Sequence, residues 1–118
     1  MLNQEQLNKL NSYFGFARKK HSLFAGMELE ERLSRQKISL LIILPSCSDK
    51  NKDKLINRDA DDPELKVLNY QGTYDIALAS GFKLLKAIGV GDVNLAHAIY
   101  EVLSQEEMNG NEKKEETK

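Results

Sequence analysis

The strongest constraint on the fold is an apolar segment at residues 38–44, Ile-Ser-Leu-Leu-Ile-Ile-Leu. A strand with one face in water alternates between apolar and polar residues, because successive side chains point to opposite faces of the sheet. This segment is apolar at both parities, which is typical of a strand buried on both faces. Pro45 marks its end. The segment therefore predicts a sheet that is covered by helices on its two sides.

The rest of the chain alternates between helical and extended patterns. The predicted order is a helix ending near residue 20, a strand at 23–25, a helix at 26–36, the strand at 38–44, a polar helix at 49–58, a strand at 65–69, a helix at 74–80, a strand at 84–90 and a final helix. The apolar faces of the first and last helices are formed by Leu7, Leu10, Phe14 and Ala17, and by Leu95, Ile99 and Val102. This order predicts an α/β fold, a three-layer α/β/α sandwich with a small central sheet that is mostly parallel or mixed.

Several residues are expected to define helix ends and faces. Gly81 follows the helix at 74–80 as a C-terminal cap, and Asp92 caps the N-terminus of the final helix. On the helix at 26–36, Leu29 is expected to face the core. Glu28–Arg32 and Glu31–Arg35 are potential ion pairs at i,i+4 spacing.

The length of 118 residues predicts one domain, which we place at residues 1–104. Residues 105–118 carry five acids and three lysines, with no aliphatic residue beyond Met108, so we expect a disordered charged tail. The whole chain has a net charge of −1, and removing a tail of net −2 leaves +1 for the domain. This balance is not that of a strongly basic nucleic-acid-binding protein.

The sequence excludes several classes of function. A single cysteine, Cys47, excludes an internal disulfide and any multi-cysteine metal site. There is no apolar run of about 18 residues, and the first residues do not have the pattern of a signal peptide. We therefore expect a cytoplasmic protein. No nucleophile–base pair or carboxylate dyad is present, so we expect neither an enzyme nor a cofactor, metal or small-molecule substrate.

Four stretches of the chain resemble the ribosomal L-seven-Ae family, whose members bind kink-turns and related RNA bends through a three-layer α/β/α fold. They are residues 15–19, Gly-Phe-Ala-Arg-Lys; residues 23–26, Leu-Phe-Ala-Gly; the apolar strand at 40–44; and residues 76–81, which match the family's Leu-Gly-x-Ala-x-Gly. The similarity covers residues 10–103, and the Gly-Phe-Ala-Arg-Lys stretch is similar to the bacterial branch of the family. The resemblance implies an L-seven-Ae/L-thirty-e-like fold and an RNA-binding function.

The motif that contacts RNA in this family is only partly retained. The family pattern is Gly-x-Asn-Glu-x-x-Lys, and the matching positions here keep Gly26 and a cation at Arg32. The family's Asn and Glu contact base edges of sheared G·A pairs, and Glu28 and Leu29 stand in their places. The family's Ala-Glu-Asp-Ala after the central strand is also absent, since residues 44–47 are Leu-Pro-Ser-Cys.

The resemblance implies an RNA-binding surface around the start of the second helix and the loop after residue 80. Its candidate residues are Arg18, Lys19, Lys20, Gly26, Glu28, Arg32, Gly81, Phe82 and Lys83. Cations and the free N–H groups of a helix N-terminus bind phosphates without reading sequence, and an aromatic ring can stack on an unpaired base. The alternative interpretation is a solvated charged face on which the glutamates cancel the cations.

Other polar residues have simpler interpretations. His21 could contact a phosphate but more often would be a polar helix end, and His97 is expected at the surface. Cys47 is expected to be a structural thiol. The acidic residues at 59–64 begin like a calcium loop but lack its glycine and distal glutamate, and residues 89–92 do not complete a phosphate-binding glycine motif.

Two functions remain open from the sequence. The first is a small monomeric protein that contacts structured RNA, such as ribosomal RNA or a kink-turn, mainly through phosphates. The second is an L-seven-Ae-like domain that has lost kink-turn recognition and acts through protein contacts. The acidic second helix and the acidic tail favour the second.

Overall fold

The computed structural model describes residues 2–45, 47, 50, 62, 64–72, 74–82 and 86–116, with side chains through residue 105. The helices are α1 (Gln4–Lys19), α2 (Gly26–Ser34), α3 (Ile76–Ser80) and α4 (Val93–Glu116), and the strands are β1 (Leu23–Phe24), β2 (Leu40–Ile43), β3 (Lys66–Asn69) and β4 (Ala87–Val90). These elements follow the predicted order. The helix predicted at 49–58 lies outside the described residues apart from Lys50.

The strands form one mixed sheet in the order β1-β4-β2-β3. β2 and β3 are parallel, with Leu40 opposite Lys66. β4 is antiparallel to both of its neighbours, with Val90 opposite Leu40 on one side and Leu23 on the other. The most apolar strand thus lies inside the sheet, and the short β1 lies at one edge, next to β4.

The two faces of the sheet are packed into two separate apolar clusters. All four residues of β2 are fully buried, and Leu40 and Ile42 face the opposite cluster from Leu41 and Ile43. The larger cluster joins the sheet to α1, α3 and α4, and the smaller one joins it to α2. The predicted α/β/α sandwich with a mixed sheet is therefore confirmed.

In the smaller cluster, α2 packs closely on the sheet because the strand residue opposite Leu29 is a glycine. Leu29 is 4% exposed, as the sequence predicts for a core residue. A Cβ placed on Gly89 of β4 would lie 2.5 Å from Cδ1 of Leu29, closer than real carbon contacts allow. The same cluster contains Cys47, which is buried and reduced, in agreement with a structural thiol.

The final helix extends further than the sequence predicts. It begins after Asp92, whose carboxylate accepts a hydrogen bond from the Leu95 N–H at 2.9 Å, so the predicted cap is confirmed. It ends at Glu116, and the disorder expected for residues 105–118 stays a prediction. This segment is rich in Glu, Lys and Gln, which favour helices, and extending an existing helix avoids the cost of nucleation. The domain boundary at residue 104 stays a prediction.

In the described part of the chain, no helix has the length and apolarity needed to cross a membrane.

Candidate functional site

An open cleft of about 250 Å³ lies where four elements end or begin. The C-termini of α1 and α3 meet the strand β1 and the N-terminus of α2 at this point. The lining side chains are Arg18, His21, Leu23, Glu28, Ser80 and Phe82. Three of them (Arg18, Glu28 and Phe82) are RNA-binding candidates from the sequence, and they come from three separate segments that only folding brings together.

Arg18 is positioned by Gly81. Its guanidinium lies against the glycine, so that a Cβ added to Gly81 would be 3.0 Å from Cζ and Nη2 of Arg18. Gly81 ends α3 with φ +83°, the left-handed conformation that favours glycine. Arg18 forms no ion pair with any described residue. Its positive charge is therefore open to a ligand.

His21 reaches the cleft because α1 ends in a tight turn. The His21 N–H donates to the carbonyl of Arg18 at 3.1 Å, and the Ser22 N–H donates to that of Ala17 at 2.9 Å. This pattern places His21 in the left-handed region, with φ +55°. A side chain there costs about 1–2 kcal/mol relative to the usual helical conformation. Residues held in this way are frequent at binding sites.

The N-terminus of α2 forms the opposite wall. Ala25 precedes the helix and provides no side-chain cap, while Gly26 has φ +62° and open space where a Cβ would be. Glu28 lies in the first turn and lines the cleft. It forms no ion pair with Arg32, contrary to the predicted i,i+4 pair, because the Arg32 guanidinium lies 4.7 Å from the centre of the Phe24 ring instead.

Ser80 lines the cleft, although the sequence did not indicate it as a candidate binding residue. It is 5% exposed, and its Oγ has no hydrogen-bond partner in the part of the chain that the structure describes. A buried hydroxyl without a partner costs about 1–3 kcal/mol. The sequence feature that could have identified Ser80 is its position four residues after the buried Ile76, which places a polar residue on the inner face of α3. The neighbouring Phe82 packs partly on the larger apolar cluster and presents the rest of its ring to the cleft.

The other candidate residues lie outside the lining. Lys20 donates to Oδ2 of Asp92 at 3.1 Å. The backbone N–H of Leu95 and the Lys20 ammonium lower the pKa of Asp92, so this pair links α1 to the start of α4. Lys19 is exposed on α1, and Lys83 lies outside the described residues. Glu31 and Arg35 form the predicted surface pair, at 3.4 Å.

A second cleft, of about 410 Å³, differs in that its Lys66 and His97 side chains have partners. Its lining residues are Ser39, Glu64, Lys66, Val93, Ala96 and His97. Lys66 lies 5.1 Å from the centre of the Tyr100 ring, and Nε2 of the exposed His97 is 3.1 Å from Glu101. Within the described ranges, no group of three or more His, Cys, Asp or Glu side chains could hold a metal ion.

No protein-family model matches this chain, and no curated protein matches it significantly. Solved structures do match. One is a protein of unknown function from Bacillus halodurans, with 20% identity and a TM-score of 0.66 over 80% of this chain and 96% of that one. Another is a 15.5 kDa RNA-binding protein from Giardia lamblia, with 15% identity and a TM-score of 0.57 over 89% of this chain and 90% of that one. At these identities the similarity establishes the fold.

Proposed function

We propose that this protein binds structured RNA through the cleft and the cations beside it. The observation that carries the proposal is the Arg18 guanidinium, which has no ion pair with a described residue and lies in a cleft that it shares with Glu28 and Phe82. The L-seven-Ae-like fold, shared with an RNA-binding protein from Giardia lamblia, supports it. The role that we propose for the cleft is binding and not catalysis.

Most of the binding energy should come from phosphates. Arg18, Lys19 and the open N–H groups at the start of α2 are donors that suit phosphate oxygens. Leu29 cannot supply a hydrogen bond, because its side chain is apolar and is buried between α2 and the sheet. A sheared G·A pair therefore has fewer base-edge contacts here than the family motif provides, and selectivity for a kink-turn should be weak.

The test is an equilibrium titration of the protein with a kink-turn RNA that has no unpaired guanine and with a plain duplex of equal length, each at two salt concentrations. Affinity should be modest, fall steeply with salt and differ little between the two RNAs. Arg18→Ala should weaken binding to both RNAs about equally and reduce the salt slope by about 1. Arg35→Ala is the matched control, because it removes the same charge from a pair on the far end of α2.

A second function, protein binding, is favoured by one specific observation. Met27, which follows Gly26 at the start of α2, is a large apolar residue that is 91% exposed. An apolar side chain in that position, beside the exposed acids of α2, suits a protein partner better than a phosphate backbone. Absence of binding to any structured RNA at low salt would favour this alternative, whereas tight, salt-insensitive and kink-turn-selective binding would contradict the phosphate-based account.

A further inference from the structure

The cleft presents a buried polar atom that needs a partner. Ser80 is 95% buried, lines the cleft and has an Oγ without a hydrogen-bond partner among the described residues. This hydroxyl can both donate and accept a hydrogen bond. A ligand that enters the cleft can satisfy it, which removes the cost of leaving it unpaired, so a ligand with polar groups is favoured over a purely apolar one.

The charges of the lining narrow the class of ligand. Glu28 and Arg18 face the same space, and neither forms an ion pair with a described residue. A simple anion would be attracted by Arg18 but repelled by the Glu28 carboxylate. A ligand that offers hydrogen-bond donors on one edge and acceptors on another would satisfy both groups. The partly exposed ring of Phe82 adds an aromatic surface that suits a planar group.

Guanine is the nucleobase that matches this combination. Its N1–H and N2–H₂ are adjacent donors that a carboxylate accepts as a pair, while O6 and N7 are acceptors that suit a guanidinium. Adenine has a single exocyclic donor group, uracil has one ring N–H, and cytosine has one amino group. Unpaired bases in RNA are recognised by stacking on aromatic rings and by hydrogen bonds to both of these edges.

We infer that the cleft binds one unpaired guanine nucleotide, with Glu28 accepting from its N1–H and N2–H₂ and Phe82 contacting its ring. Arg18 donates to the acceptors of this guanine and, in an RNA without an unpaired guanine, to a phosphate. The inference rests on the proposed function, because it takes the guanine to be a bulged or looped nucleotide of an RNA. The same chemistry would also fit a free guanine mononucleotide, so the experiment includes that ligand separately.

The experiment compares four RNA hairpins that differ at one position: a bulged guanine, inosine or adenine, and no bulge. Inosine lacks only the N2 amino group, so it isolates one of the two donors that Glu28 accepts. Fluorescence anisotropy should show guanine bound roughly 5- to 100-fold more tightly than adenine, with inosine between them. Glu28→Gln should abolish the preference for guanine over inosine. Glu31→Gln, on the same helix and paired with Arg35, should retain it.

Each outcome separates the inference from the proposed function. Equal binding of all four hairpins, or a guanine preference that survives Glu28→Gln in a protein with an unchanged thermal midpoint, would overturn the inference and leave RNA binding intact. Absence of RNA binding at low salt would remove the proposed function. In that case, tighter binding of guanosine monophosphate than of inosine monophosphate, measured by calorimetry, would support the cleft as a site for the free nucleotide, and equal or no binding would overturn it.

Discussion

Arg18 and Gly81 are far apart in the sequence, and the fold brings them into contact in the cleft. Gly81 leaves room for the guanidinium of Arg18, and the chain reaches this approach through a left-handed residue after α3. Ser80, immediately before it, contributes the unpaired hydroxyl. The resemblance indicated Arg18 and Gly81 from the sequence. Ser80 could not be found in that way, because the lack of a hydrogen-bond partner is a property of its packed environment.

The hydroxyl of Ser80 is expected to lower the stability of the free protein. Ser80→Ala removes an unpaired buried group, so the free energy of unfolding should rise relative to that of Ser34→Ala by roughly 1 kcal/mol. Ser34 is a matched control, because it is also the last residue of its helix but its Oγ donates to the Glu31 carbonyl at 2.7 Å. Chemical denaturation of both variants measures the difference. A larger loss for Ser80→Ala would show that its hydroxyl has a partner in the free protein.

Leu29 is expected to contribute to stability and not to recognition. Leu29→Ala would leave a cavity against Gly89 and the sheet and should cost roughly 2–5 kcal/mol. Met27→Ala, two residues earlier and 91% exposed, should be nearly neutral. Urea unfolding of the two variants gives the comparison, and a neutral Leu29→Ala would contradict the placement of α2 on the sheet.

For helices and strands, the sequence predicts which elements are present better than it predicts where they end or which strands pair with each other. The apolar run at 38–44 predicted two-sided burial, and β2 shows it, although only residues 40–43 pair as a strand. The antiparallel pairing of β1 with β4 was not predictable, since it depends on how distant segments pack. The extent of α4 was not predicted, because low hydrophobicity gives no signal for where a helix ends, whereas helix propensity lets an existing helix continue.

The cap of α4 should make stability depend on pH. Asp92→Ala removes the bond from the Leu95 N–H and should lower the free energy of unfolding by about 1 kcal/mol, whereas Asp92→Asn keeps a capping oxygen and should lower it less. The pKa of Asp92 is lowered in the folded state, so its carboxylate stabilises the protein above the ordinary value near 3.8. This contribution is lost as pH falls through the lowered pKa. Wild type should therefore approach Asp92→Asn at acid pH in denaturation curves, and a constant difference would contradict this role.

The C-terminal part of α4 is expected to be dispensable for folding. Residues 106–118 have almost no apolar side chains, so they cannot bury enough surface to add much stability. Deleting them keeps Gln105, which accepts a hydrogen bond from Gln6 at 2.9 Å. The thermal midpoint of the truncated protein should be nearly unchanged. A large decrease would show that this segment packs on the domain.

On the scale of the whole molecule, the two clefts lie at different junctions of the same sandwich. The cleft with Arg18 gathers the ends of α1 and α3 and the start of α2, and its charged groups lack partners among described residues. In the other cleft, Lys66 and His97 already interact with neighbours. This contrast, together with a nearly balanced net charge, is the reason why we place the proposed binding at the cleft with Arg18.

The most direct test of RNA binding through the cleft with Arg18 is to map a bound RNA on the protein by backbone amide chemical shifts. On addition of a structured RNA at low salt, we expect the largest changes at Arg18, Glu28, Ser80 and Phe82, and small changes at Lys66 and His97 across the molecule. Arg18→Ala should reduce these changes at equal RNA concentration, and Arg35→Ala should not. Changes centred on Lys66 and His97, or no changes at all, would contradict the account.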